Sequence, residues 1–101
     1  MGIRYNVKDF GEFILLQFEL DSGVIDPSEL EEAVAKAPPL PGNKGVVISG
    51  RGPIWLFAAL CHKYHPSQWV ATYDPRLGAV VVETHTKKRR VGEVISTTLQ
   101  E

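Results

Sequence analysis

Three consecutive β-branched residues, Val46, Val47 and Ile48, run straight into Ser49-Gly50-Arg51-Gly52-Pro53 and then into an apolar stretch that ends at Cys61. No other stretch constrains the fold as tightly. A strand with one wet face alternates polar and apolar side chains, whereas an unbroken apolar run belongs to a strand covered on both faces. Residues 46–48 are therefore expected to be the central strand of a sheet. The two glycines lack a Cβ, so they can take positive φ and let the backbone come close to a ligand. Pro53 suits the first helical position, where its missing N–H costs nothing. The turn thus opens on a helix N-terminus whose free N–H groups and positive dipole end converge with the Arg51 guanidinium. Such a place suits an anion, above all a phosphate.

The rest of the chain fits around this unit. Ile3, Tyr5 and Val7 alternate with polar residues; after a turn at Lys8-Asp9, residues 13–20 (FILLQFEL) form a stronger strand, and the two read as a hairpin. Asp26-Pro27-Ser28-Glu29 is a capping-box pattern, and Leu30, Ala33, Val34 and Ala37 then recur at helical spacing up to Pro38-Pro39. The helix from Pro53 is apolar on nearly every side, which favours a second subunit against it, and ends in the basic turn His62-Lys63-Tyr64-His65 before Pro66. Residues 68–73 return as a strand, so strand, helix and strand make a right-handed parallel crossover. Asp74-Pro75-Arg76-Leu77-Gly78 is a tight turn into a strand over 79–84, Lys87-Lys88-Arg89-Arg90 reads as a solvated basic turn, and residues 93–99 form a short edge strand. The expected order is β-β-α-β-α-β-β-β in one α/β domain spanning residues 1–101, a small mixed sheet of Rossmann-like type with two helices.

Composition narrows the function. The formal net charge of −1 gives no global attraction to nucleic acid, so a polyanion must be held locally and duplex DNA is a poor ligand. One cysteine excludes an internal disulfide, and no apolar run approaches a membrane span, which together suggest a cytoplasmic protein with no membrane partner. The sequence has neither the Gly-Lys-Ser ending of a nucleoside triphosphate loop nor the three-glycine dinucleotide fingerprint.

Chemistry is expected where parallel strands end. The turns 49–52 and 74–76 should lie at the same sheet edge if their strands are parallel neighbours. His62 and His65, three apart at a helix end, together with Asp74 and His85, offer metal ligands or proton carriers, and Arg76 can neutralise charge on a phosphate undergoing cleavage. The plainer reading is that the histidines complement the helix dipole and that Asp74 bonds its own turn. Trp55 and Trp69 read as packing residues.

The segments GVVISGRGPIWL (45–56), HKYH (62–65) and YDPRLGAVVV (73–82), in this order and spacing, resemble the third family of CRISPR-associated ring nucleases. These are small proteins of type III systems that degrade the cyclic tetra-adenylate second messenger. The resemblance implies a relative of the CRISPR-associated Rossmann-like sensor domains, a fold also described as ferredoxin-like. It further implies a homodimer that stacks on its ligand into tetramers or filaments, and a manganese-dependent nuclease. Carried over by position, His65, Asp74 and Arg76 would be catalytic, with His65 and Asp74 holding manganese. Ser49, Gly50, Arg51, Gly52 and Pro53 would hold a phosphate of the ring, and His85 would also bind ligand. The implied reaction opens the ring into short linear adenylates and switches off the effectors that the messenger activates. The rival readings are a non-catalytic sensor or sponge for the ring and a manganese-dependent 3′ exonuclease acting on linear oligoadenylate or RNA.

Overall fold

The computed structural model describes residues 2–96. Six strands, β1 (Ile3–Asp9), β2 (Phe13–Leu20), β3 (Gly45–Gly50), β4 (Trp69–Asp74), β5 (Gly78–Thr84) and β6 (Val94–Ile95), form one sheet in the order of the sequence. Helix α1 (Leu30–Lys36) joins β2 to β3, and α2 (Ile54–Lys63) joins β3 to β4. Both of these strand pairs are parallel, and the remaining three are antiparallel. Each helix therefore connects adjacent parallel strands, as in a Rossmann-type crossover. This is the mixed α/β sheet with two helices that the sequence implies.

Why β3 is central follows from its side chains. Val46, Val47 and Ile48 are each 0% exposed. Val46 and Ile48 join a core with Leu16, Phe18, Ala33, Ala37, Leu56, Leu60 and Val70, so both helices cover the same face. Val47 joins Phe13, Leu15, Trp69, Ala71, Ala79 and Val81 on the opposite face, where no helix of the described residues packs. That face is closed by the connection between β5 and β6. Arg89 reaches back across it, bonding the Glu12 carboxylate at 2.7–2.9 Å and Glu93 at 2.5 Å, with its guanidinium 5.5 Å from the Trp69 ring centre. Residues 87–90 are thus not a uniformly solvated turn, because Arg89 gains a carboxylate on each side and an aromatic face beneath it.

Local signals are realised with small shifts. The capping box at Asp26 forms, with the Asp26 side chain accepting from the Ser28 N–H and Glu29 accepting from the Asp26 N–H, both at 2.9 Å. A single 3-10 turn (Pro27–Glu29) precedes α1. The last carbonyls of α1 are met from other elements: Lys63 Nζ donates to Val34 and Ala37, and the Tyr5 hydroxyl to Ala33, all at 2.7 Å. The first hairpin turns at Phe10–Glu12 rather than at Lys8-Asp9, because β1 pairs as far as Asp9↔Ile14 and Gly11 supplies the positive φ of 89°. Trp69 is buried and Trp55 half-buried, as packing residues should be. The last strand is Val94–Ile95; residues 97–99 of the expected strand lie outside the described residues. Among the described residues, no helix is long and apolar enough to cross a membrane.

Candidate functional site

Two chemically different stations lie at opposite edges of the sheet. The first is where β3 and β4 end. Their parallel register, Val46↔Val70 through Ile48↔Thr72, brings the Ser49–Pro53 turn and the Asp74–Arg76 turn to one edge, as the crossover requires. Gly50 takes φ +152°, and a Cβ there would meet the Phe18 carbonyl oxygen at 2.7 Å and its ring at 2.8 Å. Gly52 does not use positive φ. It is needed because a Cβ would meet the Phe18 ring at 2.8 Å and Leu56 at 3.2 Å. Pro53 sits one place earlier than expected, as the N-cap with ψ 157°, and its carbonyl accepts from Leu56 (3.1 Å) and Phe57 (3.4 Å). No side chain among the described residues caps the helix, so the N–H groups of Ile54 and Trp55 remain for water or a ligand.

Ser49 is buried, whereas Arg51 is exposed and, among the described residues, makes no ion pair or side-chain hydrogen bond. Gly50 and Arg51 form one wall of an open cavity of about 860 Å³, which Asn6, Gln17, Phe18 and Glu19 of the first hairpin also line. Across the edge, Asp74 Oδ1 accepts from the Arg76 backbone N–H at 2.8 Å. That bond, ahead of weaker contributions from the Arg76 side chain, holds the Asp74 carboxyl below its ordinary value of 3.8. The plain turn reading of Asp74 is therefore correct as far as it goes: the carboxylate organises its own turn. The Arg76 guanidinium pairs loosely with Asp74 at 3.5 Å and is 87% exposed, so most of it faces solvent, where it can also meet an anion.

The second station lies where α2 ends and β4 begins. His65 follows the C-terminus of α2, and its Nδ1 is hydrogen-bonded to Glu83 Oε2. His85 continues the ladder past β5, its N–H bonding the Gln68 carbonyl at 2.8 Å. The His85 Nε2 donates to the His65 carbonyl at 2.9 Å, and the two imidazoles meet edge to face with centres 4.9 Å apart. One ligand atom from each of His65, Glu83 and His85 falls within 4.8 Å of the others. Exposed His62 is not among them. Nearby Cys61 is held as a neutral thiol: burial, and secondarily the Glu83 charge, push it up to about 11.

Glu83 was not among the expected site residues. Its position depends on a bulge. Val70 pairs with Glu83 but Ala71 pairs with Val81, so one residue of β5 is extra and the alternation of faces shifts. Glu83 is thereby opposite Val70, a residue of the helix-side core, and shares the face on which α2 delivers His65.

The expected grouping is redistributed accordingly. Ser49, Gly50, Arg51, Gly52 and Pro53 share an edge with Asp74 and Arg76, whereas His65 and His85 are at the other. Strand β4 runs from Trp69 to Asp74, roughly 17 Å at the rise of an extended chain. His65 and Asp74 of one chain therefore cannot hold one manganese ion, and His85 is not beside the Ser49–Pro53 turn. His65, Glu83 and His85 do fit a divalent transition metal, offering two imidazoles and a carboxylate from a half-exposed cluster.

Comparison with known proteins places the chain in a family. Residues 18–96 match the family described as CRISPR-associated protein (Cas_csx3), a stretch that takes in the end of β2, all of β3 and β4, and both helices. An uncharacterized protein of Aquifex aeolicus (strain VF5) is 40% identical over 99 residues, covering 92% of this chain and 86% of its own length. The chain belongs to the CRISPR-associated Cas_csx3 family.

Proposed function

We propose that this CRISPR-associated protein is a manganese-dependent ring nuclease that opens cyclic tetra-adenylate into short linear adenylates and so silences the effectors of a type III system. The observation that carries the reading is the exposed Arg51 beside a glycine turn and an uncapped helix N-terminus, at the wall of a cavity of about 860 Å³. That volume is within the range of small-molecule sites and has room for nucleotide units. Arg51 and the free N–H groups bind phosphate, and the glycines let the sugar–phosphate chain lie against the backbone.

Arg76 neutralises charge on the phosphate being cut. His65, oriented by Glu83, moves the proton, and a divalent metal ion, when bound, would supply Lewis-acid stabilisation of phosphoryl charge. A ring seated at one chain's Arg51 is out of reach of that chain's own His65. A second copy must therefore bring its imidazoles to the ring, and a two-fold dimer doubles each contact to a ring of matching symmetry. The cleavage rate should then rise faster than linearly with protein concentration.

The separation of Asp74 from His65 also favours a second reading, a sponge that binds the ring without cutting it. Incubating the protein with cyclic tetra-adenylate at several protein concentrations, with and without manganese, and resolving the products by chromatography separates the two. Manganese-dependent ring opening that steepens with concentration supports the nuclease. An intact ring that co-elutes with the protein supports the sponge, and loss of both in Arg51→Ala locates the binding turn. Linear oligoadenylate consumed at least as fast as the ring would point to an exonuclease instead.

A further inference from the structure

We propose that the small cavity between the first hairpin turn and the basic turn after β5 holds the phosphate and ribose of the nucleotide next to the one being cut, with Lys88 as its phosphate contact. The use of this subsite in cleavage rests on the ring-nuclease reading; its ability to hold a phosphate does not. The starting observation is a shortage of charge. His65, Glu83 and His85 offer two imidazoles and a carboxylate, while Arg51 and Arg76 stand at the opposite edge of the sheet. A polyanion brought to His65 therefore finds no lysine or arginine among these three side chains, and the neighbouring turn has to supply one.

The cavity has a volume of about 220 Å³ and is lined by Asn43, Lys44, Gln68, Thr86 and Lys88. It adjoins the second station through the backbone, because Thr86 follows His85 directly and the His85 N–H bonds the Gln68 carbonyl at 2.8 Å. The Thr84 hydroxyl donates to the Thr86 carbonyl at 3.0 Å and accepts from the Thr86 N–H at 3.1 Å. The Thr86 hydroxyl in turn accepts from the Lys88 N–H at 3.2 Å, so the turn that carries Lys88 is tied to the end of β5. Charge around the cavity is unevenly spent. Lys44 is engaged by Asp9 at 2.8 Å, and Arg89 neutralises Glu12, a carboxylate in the cavity wall, together with Glu93. Among the described residues, exposed Lys87, Lys88 and Arg90 form no ion pair, so this corner keeps an excess of positive charge in a chain whose formal net charge is −1. The Asn43 and Gln68 amides make no side-chain hydrogen bond among the described residues and can meet ribose hydroxyls. The volume is below the roughly 300 Å³ at which small-molecule pockets begin, which suits a sugar and its phosphate without the base. A lysine serves such a phosphate as a mobile point charge.

The test is binding of linear tetra-adenylate to the whole chain, in EDTA so that no strand is cut, on an Arg51→Ala background that silences the first station. Nitrogen-15 spectra follow the Asn43 and Gln68 side-chain amides, and circular dichroism verifies the fold of each variant. The expected result is that both amides shift on titration. Lys88→Gln should weaken this binding by roughly three- to tenfold at low salt, the loss of about one hydrogen bond. It should also flatten the slope of log affinity against log salt by about 0.7, the value for one phosphate contact on a single strand. Lys88→Arg should keep both affinity and slope, and Lys36→Gln, which removes the same charge from α1, should change neither. Amides that stay fixed throughout the titration overturn the subsite, as does a Lys88→Gln chain that behaves like Lys36→Gln. Because no readout depends on cleavage, ring opening by a chain that fails here would sink the subsite alone, and a strand held here by a chain that leaves the ring intact would sink the nuclease reading alone.

Discussion

Three glycines allow the cost of the phosphate-type turn to be resolved into parts. Gly11 has φ +89° with nothing within 4 Å of where an alanine methyl would sit, so Gly11→Ala should incur only left-handed strain, about 1–2 kcal/mol. Gly52→Ala carries no such strain but drives a methyl to 2.8 Å from the Phe18 ring and 3.2 Å from Leu56, an overpacking cost of about 1–3 kcal/mol. Gly50→Ala combines both, because its φ is +152° and the methyl would meet backbone as well as ring. Its cost should be about 2–5 kcal/mol, or roughly 10–30 °C in Tm for a domain of this size. The ring cannot simply swing aside: Phe18 is 2% exposed and packs edge-on against Phe57, with centroids 5.2 Å apart. Urea unfolding followed by tryptophan fluorescence measures all three as shifts in midpoint at constant slope. Phe18→Leu, which removes the far ring atoms, should recover part of the loss in Gly52→Ala. If Gly50→Ala is no worse than Gly11→Ala, or Phe18→Leu recovers nothing, the close approach of the turn to Phe18 is not what selects these glycines.

Two further outcomes follow from the charges. The Lys44 ammonium, and secondarily the Gly11 N–H, hold Asp9 below 3.8, while backbone N–H groups of Arg76 and Arg90 lead in holding Asp74 below 3.8 and Glu93 below 4.5, so the unfolded chain binds more protons near these values and folding stability rises with pH there. Tm measured against pH should be flat above the ordinary carboxylate range and fall as pH drops through 4.5 and 3.8 towards the lowered values; a flat profile down to about pH 3 contradicts this. Arg89→Ala removes a bidentate bond to Glu12, the bond to Glu93 and the cover over Trp69, and should cost about 2 kcal/mol by denaturant unfolding. In Glu12→Gln the coupling to Arg89 should account for only part of that loss.

What the sequence announces is what local chemistry encodes. The apolar run of β3 and the capping box at Asp26 depend on residues within a few positions of one another, and both appear as expected. The separation of His65 from Asp74 was implicit as well: any strand over 68–73 must put its two flanks at opposite ends, yet the resemblance groups them by role rather than by place. Glu83 could not be found this way. The run Val80-Val81-Val82-Glu83 counts as a regular strand, and the extra residue that turns Glu83 is marked by no glycine or proline, only by how β4 and β5 pair. Arg89 is similar, because Glu12 and Trp69, which rescue it from solvent, are distant in sequence.

A sheet whose strands follow sequence order gives each strand only its chain neighbours as partners, as in a repeat array, and such an arrangement can fray from either end. The Arg89–Glu12 bond joins residues 77 positions apart and ties the connection preceding the last strand to the turn of the first hairpin. It works as a buckle on an otherwise linear belt. Amide hydrogen exchange in β1 and β6 should accordingly report one shared opening event while the buckle is closed, and two independent, faster openings once it is cut.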